Sequence, residues 1–243
     1  MKTMGLIGGM SWESTLIYYR LLNEKVKARL GGLHSAKLVL NSVDFAEIER
    51  LQHQGDWAAT AEILTQAAQS LEAAGADFLV ICTNTMHKVA PQVQEAVKLP
   101  LLHIADATAT VLLRDGIERV GLLGTRFTME QSFYRERLEA QGITVCVPNE
   151  AQRDIIHSVI YEELCLGVIK ERSRSAYLEI VDSLAAEGAQ AVILGCTEVG
   201  MLIKNGDTSL PLYDTTEIHA EQAVEWALSE IASRSPHLPR DWK

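Results

Sequence analysis

The chain has 243 residues, 47% of them hydrophobic and 22% charged, the make-up of an ordinary globular protein with core enough for one large or two small domains. A formal net charge of −10, with no basic cluster longer than a pair, argues against nucleic acid or an anionic membrane as a partner. No apolar run approaches the roughly 20 residues that cross a bilayer, and no basic-then-apolar leader precedes the first strand, so a cytoplasmic location is expected, with the four cysteines kept as thiols.

Apolar strands alternate with amphipathic helices, the pattern of parallel sheets covered by helices. A first strand at 4–7 breaks at Gly8-Gly9-Met10-Ser11-Trp12-Glu13-Ser14, where two glycines permit a tight turn and Ser11, with Glu13 or Ser14, caps a helix running to about Arg29. The turn lacks the spacing of a dinucleotide fingerprint and no acidic residue follows in the right context, so no nucleotide cofactor is assigned. It is either a plain connection or a cover for a cleft. A second strand at 36–40 leads into a polar segment, 41–52, whose end has helical spacing. A helix at 57–74, stopped by Gly75, feeds a strand at 78–82, and a short helix from Pro91 ends by Pro100. The second half follows with strands at 101–103, 120–123 and 144–147, and helices at 105–114, 129–141, 151–166 and 173–187. A strand at 191–194, an extended piece at 211–213, a helix at 217–232 and a polar tail complete the chain.

The two halves repeat one another. Gly75-Ala-Asp-Phe-Leu-Val-Ile-Cys-Thr-Asn-Thr-Met-His87 aligns with Gly188-Ala-Gln-Ala-Val-Ile-Leu-Gly-Cys-Thr-Glu198, pairing Thr83 with Cys196, and Met4-Gly-Leu-Ile-Gly8 aligns with Val120-Gly-Leu-Leu-Gly124. The expected fold is α/β, with two pseudo-symmetric domains, each a short, mostly parallel sheet flanked by helices. One domain takes residues 1–100 plus 214–243, the last helix returning to it; the other takes 101–213. Cys196 then sits at the carboxyl end of a strand, where open α/β sheets hold their ligands, and two facing strand ends enclose one active-site cleft.

"GLIGGMSWEST", "ICTNTMH" and "LGCTE", in this order on a repeat, resemble the aspartate/glutamate racemase family, the amino-acid racemases that work without pyridoxal phosphate. The resemblance covers essentially the whole chain. It implies a small amino-acid substrate, no cofactor, no metal, a homodimer, and a pair of cysteines on opposite sides of the substrate α-carbon. Inversion needs one group to take a proton from one face and another to return one to the other, because a single base that keeps its proton regenerates the starting enantiomer. A thiol, with an ordinary pKa of about 8.5, suits the first task, and a helix N-terminus after the strand is expected to lower it further.

Cys196 matches the second family cysteine, whereas Thr83 stands where most members carry the first. Thr83 is either the opposite-face proton donor or a structural cap on the following helix. The resemblance gives Asn84, Thr85, Thr197 and Glu198 to the substrate carboxylate and ammonium, and places Met10 and Gln52 along the pocket. Cys82, on the opposite side of its strand, and Cys146 and Cys165, outside any motif, are expected as packing residues. His87 either packs beneath its loop or relays a proton. Members selective for aspartate use basic residues near Gln52 and a turn beyond Tyr161; here that turn reads Glu162-Glu-Leu-Cys165, so broad acceptance alongside aspartate and glutamate is expected. The resemblance also implies that the second-half cysteine deprotonates the L-enantiomer. Competing readings are a one-cysteine decarboxylase of the same superfamily and a silent amino-acid binding protein.

Overall fold

The glycine-bounded apolar runs form eight short strands, gathered into two parallel sheets, in the computed structural model, which describes residues 1–232; the expected polar tail lies outside them. In the first sheet β1 (Met4–Gly8), β2 (Leu38–Ser42), β3 (Phe78–Ile81) and β4 (Leu101–Leu102) lie in the order β2-β1-β3-β4, with Met4 opposite both Leu38 and Phe78. In the second, β5 (Arg119–Gly124), β6 (Thr144–Cys146), β7 (Ala191–Gly195) and β8 (Leu212–Asp214) lie in the order β6-β5-β7-β8, with Val120 opposite Ala191. The order is the same in both. β3 and β7 occupy corresponding places, so the residues that follow them leave corresponding strand ends.

Eleven helices cover the sheets among the described residues: α1 (Trp12–Leu30), α2 (Phe45–Gln54), α3 (Trp57–Ala73), α4 (Ala90–Glu95), α5 (Ile104–Arg114), α6 (Arg126–Glu130), α7 (Ser132–Glu139), α8 (Glu150–Glu162), α9 (Glu171–Ala186), α10 (Val199–Leu202) and α11 (Thr215–Ala232). β3 is buried along its whole length because successive side chains feed opposite layers. Leu79 and Ile81 pack with Leu64 and Ala68 of α3, while Phe78 and Val80 pack with Tyr18 and Leu22 of α1. The last helix joins this second layer through Ala220, Ala223, Val224 and Ala227, so the C-terminal segment returns to the first sheet. β7 is treated alike: Ala191 and Ile193 meet α5 and α7, and Val192 and Leu194 meet α8 and α9. At roughly 1.5–3 kcal/mol for each fully buried Leu, Ile or Val, these double-sided layers outweigh ladders only two to six residues long.

Four local differences from the sequence reading affect the site. The strand taken to open the second half, β4, pairs instead with Leu79 and Val80 and forms the edge of the first sheet; the chain crosses at His103, whose Nδ1 accepts from the Ala105 amide and caps α5. The helix read at 129–141 is two helices, broken where Gln131 turns extended, and it starts earlier because Thr125 caps it through the Thr128 amide. The helix read at 151–166 ends at Glu162, and a 3₁₀ turn, Leu164–Leu166, is closed by left-handed Gly167. The second strand runs two residues later than expected, bringing Val43 beside Gly9. Gly9 has φ +90°, and a Cβ there would fall 2.2 Å from the Val43 carbonyl oxygen, so only glycine fits the turn. Among the described residues no helix is long and apolar enough to cross a membrane.

Candidate active site

The loops after β3 and β7 meet across a cavity of about 40 Å³. Thr83, Asn84 and Thr85 line it from the first half, Cys196, Thr197 and Glu198 from the second, and Met10 and Gln52 close its side. The structure thus brings together all eight residues singled out from the sequence.

The second loop is organised around a buried carboxylate. The Cys196 thiol donates to Glu198 Oε2 at 3.0 Å, and the Ser11 hydroxyl donates to Oε1 at 3.2 Å. Burial, then the adjacent Glu198 charge, push the Cys196 thiol well above the ordinary range. This reverses the expected lowering. The helix after Cys196 is the four-residue α10, too short to offset a carboxylate in direct contact.

A chain of hydroxyls fixes the loops against each other. Ser14 Oγ donates to the Cys82 carbonyl (2.9 Å), so Thr197 donates to Ser14 (2.8 Å), and Thr216 donates to Thr197 (3.3 Å). The Thr197 hydroxyl is therefore spent within the protein, leaving its main chain for a ligand. Thr85 shares a hydroxyl cluster with Thr125 (3.1 Å) and Thr128 (3.4 Å) of the second half.

Two amide side chains line the cavity. Thr215 donates its hydroxyl to the Leu194 carbonyl and so must accept from Asn84 Nδ2 (3.0 Å), which aims Asn84 Oδ1 away from it. Gln52 Nε2 faces the Met86 thioether, an acceptor without a hydrogen, at 2.9 Å. Gln52 Oε1 and Asn84 Oδ1 are both buried without a hydrogen-bond partner. Such orphans cost about 1–3 kcal/mol each. Both residues line the cavity with Glu198, and among the described residues no lysine, arginine or histidine does so.

Thr83 is half-buried, and the 3₁₀ turn after it, Thr85–Val89, starts at Asn84 with no side chain capping it. The cap reading of Thr83 therefore finds no hydrogen bond. Cys82 packs with Phe78 and Val80 in the core, where burial raises its thiol, and Cys146 packs beside Leu123 and Ile156. Cys165 departs from its expected role as packing alone. The turn closed by Gly167 sets it on the cavity wall, its thiol pushed up to about 12 by burial and then by the Glu198 and Glu13 charges. Tyr161 lines the same wall, its hydroxyl raised mainly by burial. His87 lies under the first loop, outside the cavity lining.

Sequence reasoning missed Ser11, Ser14, Thr125 and Cys165 as cavity residues. A signal existed for Thr125: the repeat pairs Gly8 with Gly124, so the residue after β5 corresponds to the Gly9–Ser14 loop after β1. For Cys165 there was none, since its direction depends on where α8 stops. At the rim, aromatic side chains from both halves meet, Trp57 on Phe127 with ring centroids 5.6 Å apart and His53 on Tyr161 at 5.9 Å.

Comparison with known proteins bears on this arrangement. Residues 7–223 match the family profile described as Asp/Glu/hydantoin racemase. A crystal structure from Yersinia pestis, of a protein assigned as an Asp/Glu racemase, is 57% identical with a TM-score of 0.89, and the match covers 94% of this chain and 100% of that one. An aspartate racemase homologue from Pyrococcus horikoshii is 37% identical with a TM-score of 0.83, covering 93% and 99%. The broad specificity amino-acid racemase RacX of Bacillus subtilis is 21% identical over 173 residues, 68% of this chain and 71% of its own length.

Proposed function

The chain belongs to the Asp/Glu/hydantoin racemase family, and from that premise we propose that it is a cofactor-independent amino-acid racemase. Cys196 is its thiol base and Thr83 the proton donor on the opposite face of the α-carbon. The observation that carries this reading is the cavity itself: groups from corresponding strand ends of two repeated sheets face one space lined by a buried carboxylate and by two amide side chains that each hold an oxygen without a partner. Acceptors without a cation favour a substrate ammonium, which a malonate lacks.

On binding, the ammonium lies against Glu198, Gln52 Oε1 and Asn84 Oδ1. The Cys196 proton passes to Glu198 across their 3.0 Å hydrogen bond, and the ammonium stabilises the single negative charge that the pair then carries. The thiolate removes the α-proton. The carbanion spreads its charge into the α-carboxylate, and the Thr83 hydroxyl delivers a proton to the other face and regains one from water; the hydroxide left takes the proton held by Glu198, which restores the carboxylate beside the Cys196 thiol. A turnover near 10 per second needs a barrier of roughly 16 kcal/mol. Thiol tuning, at about 1.4 kcal/mol per pKa unit, supplies part of the lowering; main-chain N–H and hydroxyl donors of the two loops, aimed at the developing enolate, supply much of the rest.

Substrates extend from aspartate and glutamate to neutral amino acids, because among the described residues no cation lines the cavity to hold a second carboxylate. A cavity of about 150 Å³ is what takes up benzene, so the present 40 Å³ admits an amino acid after the cleft widens. L-substrates turn over faster at saturation, with Cys196 on their side. Free enantiomers are equal in energy, so kcat/KM is the same in both directions and the slower D-form has the lower KM.

Proton NMR in deuterium oxide over L- and D-amino acids tests the proposal. Loss of the α-proton signal together with the opposite enantiomer is expected. Carbon dioxide release from a malonate without exchange would favour a decarboxylase, and tight binding without either reaction a silent binder.

A further inference from the structure

His87 touches the Thr83 loop from below and is 1% exposed. One ring nitrogen, Nδ1, lies 2.8 Å from the Thr83 carbonyl oxygen; a carbonyl can only accept, so Nδ1 carries the hydrogen. The other, Nε2, is then bare and accepts from the Ile104 amide at 3.2 Å. Both partners demand one tautomer. Burial, first of all, keeps the imidazole neutral by holding its pKa well below the ordinary value.

The ring cannot move freely. It packs against His103 with centroids 4.6 Å apart and against His219 at 5.6 Å. His219 is itself held, its Nε2 donating to the Leu102 carbonyl (2.9 Å) and its Nδ1 accepting from Tyr18 (2.8 Å). Ile104 opens α5, which packs on the second sheet, so the ring ties the Thr83 loop of one half to the first turn of a helix in the other. Within Asn84–Val89 no side chain caps the turn after Thr83; Asn84 and Thr85 are held by their side chains through Thr215, Thr125 and Thr128, whereas Thr83 is held at its main-chain carbonyl by His87. The repeat puts Gly200 in the position of His87, and the Cys196 loop is held differently, through Ser11, Ser14 and Thr216.

We propose that His87 is the positioning residue for the return proton: by gripping the Thr83 carbonyl it sets where the Thr83 hydroxyl meets the second face of the α-carbon, while the Cys196 face runs independently of it. This rests on the racemase reading. Misplacing a reacting group by about 1 Å can cost about a hundredfold, so a loosened Thr83 loop lowers inversion and leaves proton removal by Cys196 in place.

The test separates the two faces. With an L-amino acid in deuterium oxide, α-proton washout with retention reports Cys196 alone, and formation of the D-enantiomer reports Thr83 as well. His87→Asn keeps an N–H near Nδ1 and the bond to Thr83. His87→Gln places its amide near Nε2, keeping a partner for Ile104 and losing the grip on Thr83. The expected result is a fall of about tenfold or more in the ratio of inversion to washout in H87Q, with H87N close to wild type. An unchanged ratio in H87Q beside an active wild type, or equal losses of both reactions in both variants, would overturn the role alone. Neither washout nor inversion in the wild-type protein would overturn the racemase reading and the role with it. Independently of any variant's folding, ¹⁵N NMR of the wild type should show His87 protonated at Nδ1 and bare at Nε2; the opposite tautomer would overturn the proposal.

Discussion

Replacing Glu198 by glutamine removes the charge beside the thiol and nearly preserves the shape of the loop. The thiol and carboxylate are 3.0 Å apart and both buried. With an effective dielectric of about 20, two unit charges at that distance repel by about 5 kcal/mol, which disfavours the thiolate. The glutamine carbonyl still accepts the S–H hydrogen and burial still raises the thiol, so the substitution moves the thiol pKa down without returning it to the ordinary value. The assay is the pH dependence of iodoacetamide alkylation in a Cys165→Ala background, supported by the ultraviolet absorbance lost on removing Cys196. Wild type should react well above the pH of an ordinary thiol and Glu198→Gln well below wild type. The same variant should raise KM, because the ammonium loses its charged partner. Coincident thiol titrations in the two proteins would refute the reasoning that this carboxylate holds the thiol up.

Thr83→Cys should put a second thiol on the face opposite Cys196 and bring the kcat values of the two enantiomers together, whereas Thr83→Ala should reduce inversion and keep L-substrate washout; chiral chromatography beside NMR reads both. Gln52→Met should raise KM about tenfold through loss of one charge-assisted hydrogen bond, yet raise the melting temperature of the free protein by about 2–4 °C for each kcal/mol recovered, because it removes an orphan acceptor costing about 1–3 kcal/mol; scanning calorimetry on the ligand-free variant checks the sign. The buried histidines make stability fall in acid. Burial holds His219 at about 4 and His103 at about 3, and His87 also well down, so between pH 6.5 and about 4 the unfolded chain binds more protons than the folded one and stability drops as pH falls. At pH 5 His219 and His103 each cost about 2 kcal/mol, while Asp214, raised by burial to about 6, acts in the opposite sense below that pH; urea unfolding at pH 7 and pH 5 should show a net loss.

The parts of this fold legible in the sequence are those where local chemistry and burial agree. Glycine-bounded runs such as Ala191–Gly195 are apolar at every position because both faces are covered, and their repetition shows the two sheets and pairs Thr83 with Cys196. Gly9 and Ser11 likewise act locally, one by its φ, the other by capping α1 through the Ser14 amide. What the sequence hides is decided at a distance. β4 is two residues long and is assigned to a sheet by its partner Leu79, which no pattern within it reveals. The extended Gln131 ends a helix within a segment of continuous helical spacing, and left-handed Gly167 closes the turn that sets Cys165 on the cavity wall. The sign of the Cys196 shift was hidden for the same reason: it follows from burial and a carboxylate brought to the thiol, against a helix too short to oppose them.

Cys196 as the base that acts on the L-enantiomer is the central claim, and one substitution tests it most directly. Cys196→Ala, shown by circular dichroism to melt within a few degrees of wild type, is incubated with L-glutamate in deuterium oxide and the α-proton followed by NMR. The expected result is loss of α-proton washout and of D-glutamate formation. Washout at the wild-type rate in the folded variant would contradict it and remove Cys196 from the mechanism.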